Sequence, residues 1–301
     1  MSSPLSSINK NLAILHITVF VWGFTGVLGK LISVSSSHLV WYRVLIAFIS
    51  LFLYFRLLKI DIKLNRVVFL KLFFTGAIVG LHWILFFESI KTATVSVALV
   101  CLSSLTLFTA ILEPLIKKHK ISKLEIFTGI LIICGIYIIF KFESRYTYGI
   151  ICGLLSSLCA SVFTIINSKQ IKNRSASIIT FYELIGAWVW ISVFLLLSNG
   201  FNSEMNLSVN DTIYLLLLGT FCTSVAYVAG VAVMKELSAF KVALVTNLEP
   251  IYGIILAFLF FGKQEQMSAE FYFGTTIVLS SIFLHPLIKN RIEKIRKKKT
   301  L

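Results

Sequence analysis

The chain has 301 residues, 57% of them hydrophobic and 14% charged, and a formal net charge of +15. Soluble domains average about 45–50% apolar and about 25% charged residues, so the composition excludes an ordinary water-soluble protein and indicates an integral membrane protein. The basic excess sits in the links between apolar runs and at the carboxyl end, a distribution that argues against nucleic acid as a partner.

Apolar runs of about 20 residues, enough to cross a hydrocarbon core, occur at 11–33, 39–58, 67–90, 94–116, 124–140, 146–168, 177–198, 211–233, 239–261 and 269–288. They are continuous rather than alternating with period two, so an outer-membrane barrel does not fit. The expected fold is an all-α membrane protein with ten transmembrane helices. The first run is too long for a signal-peptide core and lacks a small-residue cleavage site, so it reads as an uncleaved span. Cys101, Cys134, Cys152, Cys159 and Cys222 all fall in apolar segments with no C-x-x-C spacing. Buried free thiols fit better than disulfides or a metal site, and no cofactor is expected.

With the amino terminus placed in the cytoplasm, lysine and arginine crowd one face of the membrane: Lys10, the link from Arg56 to Lys71, the link from Lys117 to Lys123 (with Lys120), Lys169 to Arg174, Lys235 and Lys241, and a basic tail at 289–301. The opposite face has Lys91, Lys141, Arg145 and Lys263. This asymmetry follows the positive-inside rule and predicts a multi-pass protein of the plasma (inner) membrane with both termini cytoplasmic. Membrane lipid is then an obligatory neighbour, and the tail is an orientation anchor.

In span one, Thr18, Trp22, Thr25 and Gly29 are spaced to form one stripe. Small-residue helix packing and a cavity wall with Trp22 as a stacking surface both fit it. Arg43 lies about one turn into span two. It either snorkels to the headgroups or belongs to an outer gate in which Arg43 or Lys30 pairs with Glu88 of span three. His82 and Trp83 share span three, the histidine being either a cross-helix hydrogen-bonding group or a proton carrier. In span four Ser96, Ser103, Thr106 and Glu113 share one side, with Glu113 close enough to Lys117 for a local ion pair.

Span six repeats the pattern with Ser157, Ser161, Thr164 and Ser168, beside Asn167. Span seven carries Glu183, and span eight carries Thr220, Thr223, Ser224 and Tyr227. Span nine holds Thr246, Glu249, Tyr252 and Gly253 in a stripe, with Glu249 and Pro250 at its centre. A carboxylate at mid-membrane costs about 2.5–3.5 kcal/mol on insertion scales, so such groups face protein or water rather than lipid. Proline beside it removes a backbone donor and disturbs the preceding turn.

An internal repeat runs through the chain. The tetrapeptide VALV occurs at 97–100 and again at 242–245, and the same offset pairs Lys118 with Lys263 and Gly129 with Gly274. The expected domains are five-helix units at 11–140 and 146–288, and an odd number of crossings in each makes them inverted with respect to one another. Inverted repeats are the usual basis of alternating access.

The run SAFKVALVTNLEPIYGIILAFLFFG (238–262), together with ten spans in two repeats, resembles the EamA-type ten-helix exporters of the drug/metabolite transporter superfamily. The resemblance covers essentially the whole chain. It implies a basket of two inverted repeats around a central cavity lined by spans one, three, four, six, eight and nine, and secondary transport of a small organic metabolite or amino acid. Two features depart from the family pattern: Gly262 is followed by Lys263 rather than glutamate, and Leu105 stands where the repeat aligns with Pro250. With Glu113 and Pro114 displaced along span four, the two helix breaks are expected not to be related by the repeat.

The residues expected to bind solute are Trp22, Thr25, His82, Trp83, Ser103, Thr106, Ser161, Thr164, Tyr227, Thr246, Glu249 and Tyr252; those expected to gate or couple an ion are Glu249, Glu113, Arg43, Glu88 and Glu183. An exchanger or importer of nucleotide-sugar or phosphate-bearing solutes is the alternative within transport, and it needs cations inside the cavity, where Lys30, Arg43 and Lys241 all sit towards span ends. A membrane-embedded enzyme is the alternative outside it; with Asp61 and Asp211 the only aspartates, Asp-rich metal-pyrophosphate chemistry and intramembrane aspartyl proteolysis are set aside. A homo-oligomer is left open.

Overall fold

The computed structural model describes residues 4–118 and 123–299, and they form a bundle of thirteen α-helices with no strand. Lys120 and the last two residues of the tail lie outside the described residues. In chain order the helices are α1 (Pro4–Leu31), α2 (Ser36–Leu58), α3 (Arg66–Thr92), α4 (Val95–Leu102), α5 (Leu105–Lys117), α6 (Lys123–Phe142), α7 (Thr147–Gln170), α8 (Ala176–Leu197), α9 (Val209–Gly219), α10 (Ala226–Val233), α11 (Ala239–Thr246), α12 (Glu249–Phe261) and α13 (Ala269–Lys299). Three crossings are composite: α4 with α5, α11 with α12, and α9 with α10 through a π-helical turn at Thr220–Val225. Among the described residues nine segments are long and apolar enough to span a membrane. Helix α13 supplies the tenth and continues unbroken into the basic tail. The protein is an all-α membrane protein with about ten membrane helices.

Local chemistry places the ends. Ser35, Asn65, Thr94 and Ser238 each accept a backbone N–H at the start of α2, α3, α4 and α11, and Ser208 forms a reciprocal capping box with Asp211 at α9. Helices α2 and α5 close on Lys59 and Lys118 in the left-handed conformation, which satisfies terminal carbonyls before the chain turns.

Helix neighbours exchange between the two halves. Helix α3 packs on α7 and α8, as the α9–α10 crossing packs on α1 and α2; α1 packs on α11 and α12, as α7 packs on α4 and α5. The pairs α2–α8 and α6–α13 map onto themselves. Two crossings bring backbones together through glycine: a Cβ on Gly76 of α3 would lie 2.3 Å from the Glu183 carbonyl of α8, and one on Gly186 would lie 2.2 Å from that of Phe73. Without a hydrophobic driving force between helices in lipid, such close packing supplies much of the attraction.

One expectation about the repeat is overturned. The break in the fourth crossing falls at Ser103–Ser104 and that in the ninth at Asn247–Leu248, so the two coincide within a residue in the VALV register. Pro114 lies inside α5 without ending it. A break is set by where the i to i−4 ladder fails, and in the first repeat Ser104 marks that point: its hydroxyl donates to the Cys101 carbonyl at 2.7 Å, giving the carbonyl a side-chain partner.

Candidate functional site

Helices α4 and α11 enter from opposite ends and stop at their breaks, and α5 and α12 start there, so two interrupted helices meet at the centre of the bundle, as in discontinuous transporter helices. The breaks are pinned to each other by Asn247, whose amide donates to the Thr106 hydroxyl and, at 2.8 Å, to the Ala243 carbonyl. Polar stripes on α7 seal the same region. The Ser104 and Ser157 hydroxyl oxygens lie 2.9 Å apart, and Thr109 donates to Ser161 at 3.0 Å.

Beside the breaks lies a cavity of about 80 Å³, room for several waters or a small solute. Its wall joins Trp22 and Thr25 of α1, Arg43 of α2, His82, Trp83 and Phe86 of α3, Leu102 and Leu105 at the first break, Ala160, Phe163 and Thr164 of α7, Tyr227, Gly230 and Met234 of the eighth crossing, and Val242, Thr246 and Glu249 of the ninth. Eight of the residues expected to bind solute are there: Trp22, Thr25, His82, Trp83, Thr164, Tyr227, Thr246 and Glu249.

Ser103, Thr106, Ser161 and Tyr252 are not among the lining residues. The Ser103 hydroxyl back-bonds to Leu99, Thr106 is taken by Asn247 and Ser161 by Thr109. Tyr252 packs edge-on against Phe20 with centroids 5.4 Å apart, at the contact of α12 with α1.

Arg43, expected either to snorkel or to belong to an outer gate, is placed deeper than either reading put it. Rather than sitting at a span end, it is 2% exposed and lines the cavity. Its Nε donates to the Thr223 hydroxyl at 2.6 Å, within the π-turn, and its guanidinium lies 4.4 Å from the Trp83 ring centre and 5.4 Å from that of Phe87. Stacking on a desolvated aromatic face is worth about 2 kcal/mol, which offsets part of the cost of burying the charge. Nη1 is buried without a protein partner. Glu249, at the first position of α12, is 5% exposed and lines the same cavity as Arg43, with no ion pair formed between them among the described residues. The two are the charged groups on the cavity wall among the described residues.

The expected pairing of Glu88 with Arg43 or Lys30 is not formed. Glu88 accepts from the Ser36 hydroxyl at 2.7 Å, while Lys30 Nζ lies 2.7 Å from Glu265. Glu265 is 2% exposed and also accepts from Val95 N at 3.2 Å, Ser96 N at 2.9 Å and Ser96 Oγ at 2.8 Å. Sequence reasoning passed over Glu265 because it lies in a short link outside any stripe; its distance from Lys30 along the chain hides the contact. Around it, Asp211 accepts from Ser33 N and Oγ at 2.7 Å each, and Lys91 donates to the Ile32 carbonyl at 2.8 Å. These bonds stitch the lysine-poor end of the bundle shut.

At the lysine-rich end, Glu113 pairs with Lys117 at 2.5 Å and accepts from Phe240 N at 3.0 Å, at the start of α11. Lys241 is exposed. His82 Nδ1 is hydrogen-bonded to the Ser156 hydroxyl at 2.8 Å. Glu183 lies behind the cavity wall, completely buried, and its Oε2 accepts from Tyr227 at 2.7 Å and from Asn167 at 3.1 Å. The five cysteines are free.

A model of the EamA-like transporter family matches twice, at residues 10–141 and 147–285. The chain is 24% identical over 288 residues to the "Uncharacterized transporter YdfC" of Bacillus subtilis (strain 168), covering 93% of this chain and 92% of that one. It is 25% identical over 181 residues to an "Uncharacterized transporter" of Clostridium kluyveri, covering 58% of each. A solved crystal structure superposes with a TM-score of 0.68 at 11% identity, over 93% of this chain and 98% of that one, a likeness of fold. With its cavity at paired helix breaks and a family match covering both halves, the chain belongs to the EamA-like transporter family.

Proposed function

We propose that the protein is a secondary-active transporter of the plasma membrane that exports small organic solutes, amino acids foremost, by alternating access. The observation that carries this reading is the presence of Arg43 and Glu249 as opposite charges in one cavity whose remaining wall is largely aromatic and aliphatic. A guanidinium offers a planar fork to a carboxylate, a carboxylate accepts an ammonium group, and Trp22, Trp83 and Tyr227 offer faces for an apolar side chain. A zwitterion meets both poles and adds no net charge to the membrane interior. A phosphate-bearing solute or nucleotide sugar would bring anionic charge next to Glu249, with Arg43 alone to meet it, so that reading is less favoured.

The exchange of helix neighbours between 11–140 and 146–288 supports a pair of inverted repeats, a plan that builds two related conformations open to opposite sides. Placing both termini in the cytoplasm follows the lysine asymmetry. In that orientation the stitched end faces outside, and the cavity extends towards Met234 and Val242 on the cytoplasmic side. Such an arrangement supports an inward-facing state ready to load solute from the cell.

The test is counterflow in liposomes containing the full chain, using labelled amino acids chosen by metabolite profiling of cells that overproduce or lack the protein. Saturable, stereoselective exchange is expected. Absence of exchange for every zwitterion tried, or product formation from the solute without translocation, would overturn the reading.

A further inference from the structure

Behind the cavity wall is a second buried carboxyl with a different electrostatic situation from Glu249. Glu183, 0% exposed, sits on α8 with Asn167 of α7 and Tyr227 of the eighth crossing. Its Oε2 accepts from both partners, and Asn167 also donates to the Tyr227 hydroxyl at 3.2 Å, closing a three-membered ring of hydrogen bonds. Its Oε1 has no partner; neither have Asn167 Oδ1 and Thr180 Oγ1, both fully buried, the latter one turn earlier on α8.

The charge accounting differs between the two acids. Glu249 shares a cavity wall with the Arg43 guanidinium, whereas Glu183 lies outside that wall and has no cation within 4 Å among the described residues. The ionisable groups on the elements around it are committed elsewhere: His82 of α3 to Ser156, and Arg43 of α2 to Thr223 and Trp83. Helix α7 contributes the neutral Asn167, its Lys169 donating instead to the Ile116 carbonyl at 3.3 Å, and Tyr227 of α10 donates a hydrogen bond to Glu183. An uncompensated carboxylate at this depth costs several kcal/mol. A single proton on Oε1, the oxygen without a partner, removes that charge and its cost.

We propose that Glu183 is a proton-binding site coupled to the solute cavity through Tyr227, an inference that rests on the reading of the chain as a secondary transporter. Tyr227 is both a wall of the cavity and the donor to Glu183. Its ring also stands edge-on to Trp83 at 5.7 Å, and Trp83 carries the Arg43 guanidinium on its face. A solute carboxylate that draws Arg43 towards it moves the ring stack and with it the Tyr227 hydroxyl. That displacement opens the acid to the cavity; its proton passes to water there, leaving the carboxylate, and a proton from the opposite side restores the acid in the other conformation. No bond other than those to the transferred proton changes.

The proton site is tested without any solute by infrared spectroscopy of the purified full chain. A carboxylic-acid C=O band is expected in the wild type and should disappear in Glu183→Gln; a spectrum of that variant with every acid band still in place overturns the site. Tyr227→Phe provides a second handle, since loss of its hydrogen bond should shift that band, and an unshifted band overturns the link to the cavity. An acid band that emerges only on removing sodium would assign the site to a metal cation and also overturn the proposal. In liposomes, an imposed pH gradient should accelerate wild-type exchange of the labelled amino acid and lose that stimulation in Glu183→Gln; persisting stimulation overturns the coupling. Failure of wild-type exchange itself would overturn the transport reading instead, leaving the infrared result to decide the proton site.

Discussion

Glu265 and Glu113 hold equivalent posts at opposite ends of the bundle. Glu265 accepts from the N–H of Ser96 at 2.9 Å, and Glu113 from that of Phe240 at 3.0 Å, the second residues of α4 and α11. Each also holds a lysine, Lys30 at 2.7 Å and Lys117 at 2.5 Å. A carboxylate at a helix amino terminus satisfies orphan donors and complements the helix dipole. Each half-helix that reaches the cavity is thus tethered at its outer tip by an acid from the other repeat.

Glu265→Gln weakens the tether at the stitched end. Because it removes the charge that a half-buried lysine and two backbone N–H groups meet, the expected cost is about 1.5–3 kcal/mol, read as a lower midpoint of thermal unfolding in detergent. Cysteines introduced at Ser33 and Ser96 should also become more reactive to a polar thiol reagent; unchanged labelling would show that this contact does not hold the end closed.

Arg43→Ala is expected to weaken solute binding by about 10–100-fold, the equivalent of about 1.4–3 kcal/mol for a charge-assisted hydrogen bond. Arg43→Lys should recover little of it, since an ammonium lacks the planar fork that stacks on Trp83 and reaches Thr223. Competition against labelled amino-acid counterflow measures both, and a fully active lysine variant would contradict the bidentate role.

Glu249→Gln removes the negative pole while preserving size. Loss of affinity should be larger for zwitterionic solutes than for their N-acetylated analogues, which have no ammonium to place. Equal losses for the two would mean that Glu249 does not meet the amino group.

Asn247→Ala unpins the two helix breaks from each other. With Thr106 buried and left without its donor, the expected destabilisation is about 1–3 kcal/mol, measured by unfolding in detergent. Asn247→Asp should not rescue it, because the carboxylate lacks the donor that the Ala243 carbonyl accepts.

Gly186→Leu should be more damaging than any of these. The new side chain would start 2.2 Å from the Phe73 carbonyl, so α3 and α8 must separate, and the expected outcome is loss of the monodisperse peak in size-exclusion chromatography. Gly262→Leu, at a position where a Cβ meets nothing within 4 Å, makes an informative contrast: it should leave packing intact and cost only backbone strain at a left-handed residue.

Much of this molecule was written locally along the chain. Ten apolar runs, the charge asymmetry, the VALV repeat and the polar stripes were legible because hydropathy and helical periodicity are properties of neighbouring residues, and eight of the twelve residues expected to bind solute do line one cavity. A stripe marks a face turned away from lipid, however, and does not say whether that face meets a cavity or another stripe. Ser161 and Thr106 went to the second kind of surface. Arg43 read as either a headgroup anchor or part of an outer gate because its depth was counted from the span end, whereas Trp83, Phe87 and the Thr223 turn, all on other helices, hold it at the cavity. Glu265 and the ring around Glu183 were decided by tertiary structure for the same reason: a buried charge is tolerated only where distant segments bring it donors or a counter-charge, and those partners are set by how ten helices pack, not by what lies beside the residue in the chain.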